Sequence, residues 1–155
     1  AALEELKQLS VAPKDMESRE IKTLLINADY LRRTEVPDIP ECIIYIDKLR
    51  LQQVFDNIFA NSYKYAGTNI MTEIYLDNKR LAISIEDYGG GIDRDEVLII
   101  KEKYRRGSNV KDVEGAGLGL YISDYFMREM KGELIVENGK NGLKATVMIL
   151  LSGEI

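Results

Sequence analysis

The stretch Lys48-Leu49-Arg50-Leu51-Gln52-Gln53-Val54-Phe55-Asp56-Asn57-Ile58-Phe59-Ala60-Asn61-Ser62-Tyr63-Lys64-Tyr65 reads as one helix with two different faces. Leu51, Val54, Phe55, Ile58 and Ser62 recur at the spacing that stacks side chains on one side of a helix, and they form a core stripe. Gln53, Asn57, Asn61 and Lys64 form a second, polar stripe, in which Asn57 and Asn61 lie one above the other with Lys64 on the same side. A carboxamide oxygen can coordinate a hard cation, and an ammonium can meet phosphate oxygens. Taken alone, the same stripe reads first as the solvated face of an ordinary helix.

Before this helix, Asp47 is placed to cap it, and Cys42 to Ile46 is a β-branched run suited to a short strand. Further back, Ile21, Leu24, Leu25, Ala28 and Leu31 recur at helical spacing, which predicts an amphipathic helix from Asp15 to about Arg33, ended by Pro37 and Pro40. After it, Ile70 to Leu76 and Leu81 to Ile85 alternate as strands about an Asp77-Asn78-Lys79 turn. Residues Arg94 to about Lys103 have a helical pattern, whereas Tyr104 to Glu114 is polar, basic and aperiodic, as expected of a mobile loop. Gly115 to Gly119 opens another helix through about Met130. Leu134 to Glu137 and Leu143 to Leu151 read as closing strands around Asn138 to Gly142. This order predicts a two-layer α/β sandwich, with a mixed sheet of about five strands covered on one face by about three helices.

Composition narrows the chemistry. The chain has 155 residues, enough for one domain, and is 45% hydrophobic and 30% charged, as a globular protein is. A net charge of −5 argues against a default nucleic-acid binder, which needs a concentrated basic surface. There is no histidine, which removes His-based acid–base catalysis, His nucleophiles and His metal ligands; phosphohistidine chemistry would need another polypeptide or segment. The one cysteine, Cys42, excludes an internal disulfide and a zinc cluster, and suits a buried strand residue. No apolar stretch approaches the roughly 20 residues that cross a bilayer. The opening Ala-Ala-Leu-Glu-Glu-Leu reads as the tail of an earlier helix, so residues 1–14 are expected to be tail or linker and 15–155 the domain.

Two further segments carry chemistry. Asp87-Tyr88-Gly89-Gly90-Gly91-Ile92 puts a carboxylate at the end of a buried strand, before glycines that permit close backbone approach. Such an Asp can accept a hydrogen bond from an adenine amine, or simply cap a glycine-rich turn. Gly115-Ala116-Gly117-Leu118-Gly119-Leu120 precedes a helical pattern, where exposed N–H groups and the positive helix end accommodate phosphates. It follows an aperiodic loop rather than a strand, against a Rossmann fingerprint, and there is no GxxxxGK[ST] or protein-kinase signature set.

These three segments, in this order, closely resemble the catalytic domain of sensor histidine kinases, of the superfamily that includes gyrase, heat-shock chaperone and mismatch-repair ATPases. The resemblance runs from about Ile21 to Leu151. The Asn-rich helix resembles the N box, Asp87 to Ile92 matches DxGxGI, and Gly115 to Leu120 matches GxGLGL. The resemblance implies a Bergerat-type fold that binds ATP with Mg²⁺. Asn61 would hold Mg²⁺, Asn57 would line the same site, Lys64 would meet phosphate and Tyr65 would lie against the nucleotide. Asp87 would read adenine, Gly89 and Gly91 would let the backbone pass the base, and Ile92 completes that motif. Gly115, Gly117 and Gly119, with Leu118 and Leu120, would form lid hinge and phosphate cradle. Ile100 to Gly107 resembles the F box, with Tyr104 as its aromatic and Arg106 as its phosphate-directed arginine. Two departures are Lys101, where an aromatic is usual, and Leu143, where Thr often follows the late glycine.

Hydrolytic members of the superfamily place Glu one turn before the metal-binding Asn, to activate water; here that position is Asn57, and Asp56 is turned about 100° away. The resemblance therefore implies transfer of the γ-phosphate to a histidine on a separate dimerisation domain, with Asn57, Lys64 and Arg106 as catalytic candidates. A response regulator would act downstream, and the domain would be a monomeric cytoplasmic portion of a membrane-bound sensor kinase, touching neither membrane nor nucleic acid. The alternatives are an anti-sigma-factor-like serine kinase and a non-catalytic nucleotide-sensing module.

Overall fold

The computed structural model describes residues 10–65, 69–89 and 116–154. Among them the chain runs β1 (Lys14–Glu17), α1 (Ile21–Ala28), β2 (Ile43–Ile46), α2 (Lys48–Tyr65), β3 (Ile70–Asp77), β4 (Arg80–Asp87), α3 (Ala116–Glu129), β5 (Glu133–Asn138) and β6 (Leu143–Leu150). The expected two-layer α/β sandwich with three helices is present.

Helix α2 has the predicted bounds, because its start and its core face are both written locally. Asp47 Oδ1 accepts the N–H of Arg50 at 3.2 Å, which satisfies one of the donors that a helix start leaves open. Leu51, Val54, Phe55, Ile58 and the next residue, Phe59, are buried and pack between the other helices and the sheet. Each such side chain contributes about 1.5–3 kcal/mol of burial. Helices α1 and α3 flank α2.

The main sheet has the order β3-β4-β6-β5, with every pairing antiparallel. Its helix-facing positions are apolar: Leu81, Ile83 and Ile85 on β4, Ala145, Val147 and Ile149 on β6, Leu134 and Val136 on β5. The β3–β4 turn is Asn78-Lys79, with Asn78 at φ 58°. Asparagine tolerates that left-handed conformation better than most residues. A mixed sheet was expected. Strand β5 does run in the direction of β4, but β6 lies between them, so no parallel pair is hydrogen-bonded among the described strands.

The N-terminal region corrects the predicted helix from Asp15 to Arg33. Lys14–Glu17 is a strand that pairs antiparallel with β2, Met16 opposite Ile44, and a 3₁₀ turn, Ser18–Glu20, leads into the short α1. Backbone pairing overrides helical pattern here: Ser18 N–H donates to Cys42 O at 2.9 Å, while the Ser18 hydroxyl donates to Pro40 O and accepts from Cys42 N–H. Cys42 itself is half-buried, just ahead of β2 rather than within it.

The helix stops at Ala28 because Asp29 turns the chain. Its carboxylate accepts the N–H groups of Arg33 and Thr34 at 3.0 and 2.9 Å and the Tyr63 hydroxyl at 2.5 Å. Leu31 is consequently exposed and not part of the core stripe. Burial, then the bond to Asp29, holds the Tyr63 phenol well above its ordinary range.

A short C-terminal turn joins the two sheets. Leu151 bridges to Ile44, its N–H donates to Lys79 O at 3.2 Å, and the Ser152 hydroxyl bonds Asp15. Among the described residues no helix is long and apolar enough to cross a membrane.

Candidate functional site

The C-terminal half of α2 carries the first motif to one end of the sandwich. Strand β3 starts five residues after α2 ends and pairs with β4 so that Ile70 lies opposite Asp87. The helix end that bears Asn61 and the strand end that bears Asp87 are thereby brought to the same edge.

The third motif meets the first through Asn57. Its Nδ2 donates to Gly119 O and to Ser123 Oγ, each at 3.2 Å, tying α2 to the first turns of α3. A Cβ at Gly119 would stand 3.4 Å from Asn57 Cγ, an ordinary contact, so the bond to its carbonyl does not itself require glycine. Ser123 is fully buried, and this bond gives its hydroxyl oxygen a partner.

Asn61, one turn on, is 9% exposed, and its Oδ1 has no hydrogen-bond partner. Lys64 is exposed on the last turn of α2.

Asp87, the last residue of β4, is 2% exposed. Its Oδ1 accepts the N–H of Gly89 at 3.0 Å and of Leu143 at 3.2 Å, whereas Oδ2 has no partner. Among the described residues, Asn61 Oδ1 and Asp87 Oδ2 are the buried side-chain oxygens left without one. Leaving a buried acceptor unmet costs about 1–3 kcal/mol, so each of the two is a place where a ligand or an ordered water would complete the bonding. One is a neutral amide oxygen, of the kind that joins a hard cation's oxygen shell; the other is an acceptor suited to an exocyclic amine. Both fit an adenine nucleotide with Mg²⁺. Among the described residues no cluster of Cys, Asp and Glu could hold a metal by itself, and Mg²⁺ is commonly bound by one or two side chains together with substrate phosphates.

Several predicted site residues fall elsewhere. Gly91, Ile92, Tyr104, Arg106 and Gly115 lie outside the described residues, as do the helix expected at 94–103 and Lys101. Tyr65, Gly117 and Leu118 are described as helical backbone only. Leu120 is a core residue, 1% exposed. A cleft of about 760 Å³ lies elsewhere, along the β3 edge between Arg32, Thr34, Asn69, Met71 and Tyr88.

Sequence reasoning missed Ser123, Gly142 and Glu86. A Cβ on Gly142 would come within 2.2 Å of Asp87 Oδ1, so this glycine is required by the carboxylate beside it. The signal available for Glu86 was a second acid at the end of the apolar run Leu81 to Ile85.

Comparison with known proteins agrees with this geometry. A family model described as histidine kinase-, DNA gyrase B-, and HSP90-like ATPase matches residues 46–153. The sensor histidine kinase RcsC of Escherichia coli strain K12 is 31% identical over 163 aligned positions, covering 96% of this chain and 17% of that protein. The adaptive-response sensory kinase SasA of Synechococcus elongatus is 34% identical over 107 positions, covering 66% of this chain and 27% of that protein. This chain thus spans about a sixth to a quarter of the length of these relatives. The ATP binding domain of PrrB from Mycobacterium tuberculosis has the same fold, with TM-score 0.68 at 22% identity over 90% of this chain and 97% of that one. By sequence match over most of its length, with a fold to suit, this chain belongs to the family of histidine kinase-, DNA gyrase B- and HSP90-like ATPases.

Proposed function

We propose that this domain binds Mg-ATP and delivers its γ-phosphate to a histidine on a separate helical dimerisation segment, from which an aspartate on a response regulator receives it. The observation that carries the reading is the pair of unpartnered buried oxygens, Asn61 Oδ1 and Asp87 Oδ2. The relatives named as sensor kinases support the direction of transfer.

In this reading Asp87 selects the base. Its Oδ1 is held by Gly89 and Leu143, so Oδ2 is the atom that receives the adenine amine. Asn61 Oδ1 supplies a metal ligand, and bound Mg²⁺ would neutralise phosphate charge as it develops in transfer. Lys64 meets phosphate from the end of the same helix. Asn57 keeps α2 and α3 in register through Gly119 O and Ser123 Oγ and so fixes the floor under the phosphates. The segment Gly115 to Gly119 would cradle the phosphates, since the start of α3 at Ala116 favours anions. By the family resemblance, Tyr65 would lie against the nucleotide and Arg106 would be directed at phosphate, with Tyr104 as the aromatic beside it.

No carboxylate occupies the position of Asn57, so no side chain there takes a proton from water, and the geometry favours a protein acceptor. Positioning and charge neutralisation then supply the catalysis. A response-regulator partner places the domain on the cytoplasmic side of a sensor kinase.

The test is incubation with radiolabelled ATP, Mg²⁺ and the histidine-bearing helical segment. Acid-labile, base-stable label on that segment is the expected result. Acid-stable label on a serine would establish the serine-kinase alternative, and tight ATP binding with no labelled acceptor would leave a nucleotide-sensing module.

A further inference from the structure

Neighbouring residues on a strand point to opposite faces, so Glu86 and Asp87 straddle the end of β4. Asp87 faces the helices and the nucleotide edge, and Glu86 faces the other side. Glu86 is nonetheless 3% exposed. Its cover is the four-residue β5–β6 turn, 139–142, which wraps the carboxylate. Glu86 Oε2 accepts the N–H of Gly142 at 3.2 Å and that of Asn141 in a shorter bond. Gly139 presses on it from below, where a Cβ would stand 2.7 Å from Glu86 Cδ, and Gly139 N–H closes the turn onto Gly142 O at 2.7 Å.

The same turn reaches Asp87. Gly142 lies against its Oδ1, and the next residue, Leu143, donates its N–H to that atom. Fixing the turn therefore fixes which oxygen of Asp87 is occupied and which stays open. We infer that Glu86 is a positioning residue for base selection: through the amides of Asn141 and Gly142 it sets the Leu143 N–H on Asp87 Oδ1, and so aims Oδ2 at the base. This rests on the reading of Asp87 as the adenine acceptor. It adds that discrimination between adenine and guanine depends on a carboxylate on the far side of the sheet.

Adenine presents an amine where guanine presents a carbonyl oxygen, so a well-aimed Oδ2 accepts from the first and repels the second. If Glu86 releases the turn, Asp87 can rotate, the bond to the amine weakens, and the repulsion of the carbonyl weakens with it. The measurable quantity is therefore the ratio of ATP to GTP affinity in Mg²⁺, taken by calorimetric titration of the whole chain.

Glu86→Gln keeps an acceptor at the same reach and should keep the ratio. Glu86→Asp keeps the charge but is one methylene too short for the turn, and should lower the ratio by about tenfold or more, the worth of one hydrogen bond to a charged acceptor. Gly139→Ala displaces the same carboxylate from within a surface turn, so it gives the same fall in ratio if Glu86→Asp does not fold. An unchanged ratio in Gly139→Ala and in folded Glu86→Asp, or equal weakening of ATP and GTP, would overturn the inference. A wild-type chain without preference for ATP would instead remove the underlying reading of Asp87.

Discussion

Replacing Asp87 by Asn separates nucleotide recognition from folding. The amide oxygen can take over the place of Oδ1 and keep the N–H bonds from Gly89 and Leu143. The Nδ2 amine then stands where the open Oδ2 stood, presenting a donor to the donor of adenine. The lost bond to a charged acceptor is worth about 1.5–3 kcal/mol, or roughly a 10- to 150-fold rise in Kd. Folding stability without nucleotide should hold within about 1 kcal/mol or increase, because an ionised group buried with one oxygen unmet is harder to desolvate than an amide. Both quantities are accessible: Kd by calorimetric titration with Mg-ATP, stability by denaturant melts with and without nucleotide. At ATP equal to one hundred times the wild-type Kd, ligand stabilisation should fall from about 2.7 kcal/mol to about 1.4 or less. Unchanged affinity in a folded variant would refute the role given to Oδ2, and a large stability loss in the free protein would show that Oδ2 serves the fold.

Three other perturbations read different parts of the structure. Asn61→Ala should remove most of the difference between ATP affinity in Mg²⁺ and in EDTA while leaving metal-free binding near wild type; an undiminished difference would exclude Asn61 as a ligand. Gly142→Ala places a methyl on Asp87 Oδ1 and should cost about 1–3 kcal/mol of stability together with ATP binding, both measured as above; wild-type values would show that the turn yields freely. Tyr63→Phe tests alkaline stability. The folded state holds the Tyr63 proton more tightly than the unfolded chain, so stability is full below about pH 10 and falls as pH rises beyond it. Burial raises Tyr121 and Tyr125 in the same sense, so the variant should show a shallower alkaline slope and not a flat one; an identical slope would contradict the assignment.

What was legible in the sequence was what neighbours in the chain determine. The bounds of α2 follow from Asp47 and from an apolar stripe within one helix, and the β3–β4 hairpin follows from Asn78 at its turn. The strand at Lys14–Glu17 was illegible, because its partner lies about thirty residues away and only one of its four residues, Met16, is buried, which leaves no alternation to read. The site divides in the same way. Asn57, Asn61 and Asp87 could be named from motif position, yet nothing local distinguishes the asparagine whose amide is committed to Gly119 and Ser123 from the one whose oxygen stays open. Glu86 was invisible for the same reason, since its partners arrive with a turn more than fifty residues later.

The C-terminal turn that touches Ile44, Lys79 and Asp15 turns the domain into a clasp with both halves at its ends. Asp15 and Ser152 are 137 positions apart, so the fastening is made at the entropic cost of closing almost the whole chain, and it engages only once the sheet has brought its halves together. The first strand and the final turn should then open and close as one unit, ahead of the core. Tension applied where the chain enters β1 would be borne first by its ladder with β2 and by the Asp15–Ser152 bond, ahead of the strand end that bears Asp87.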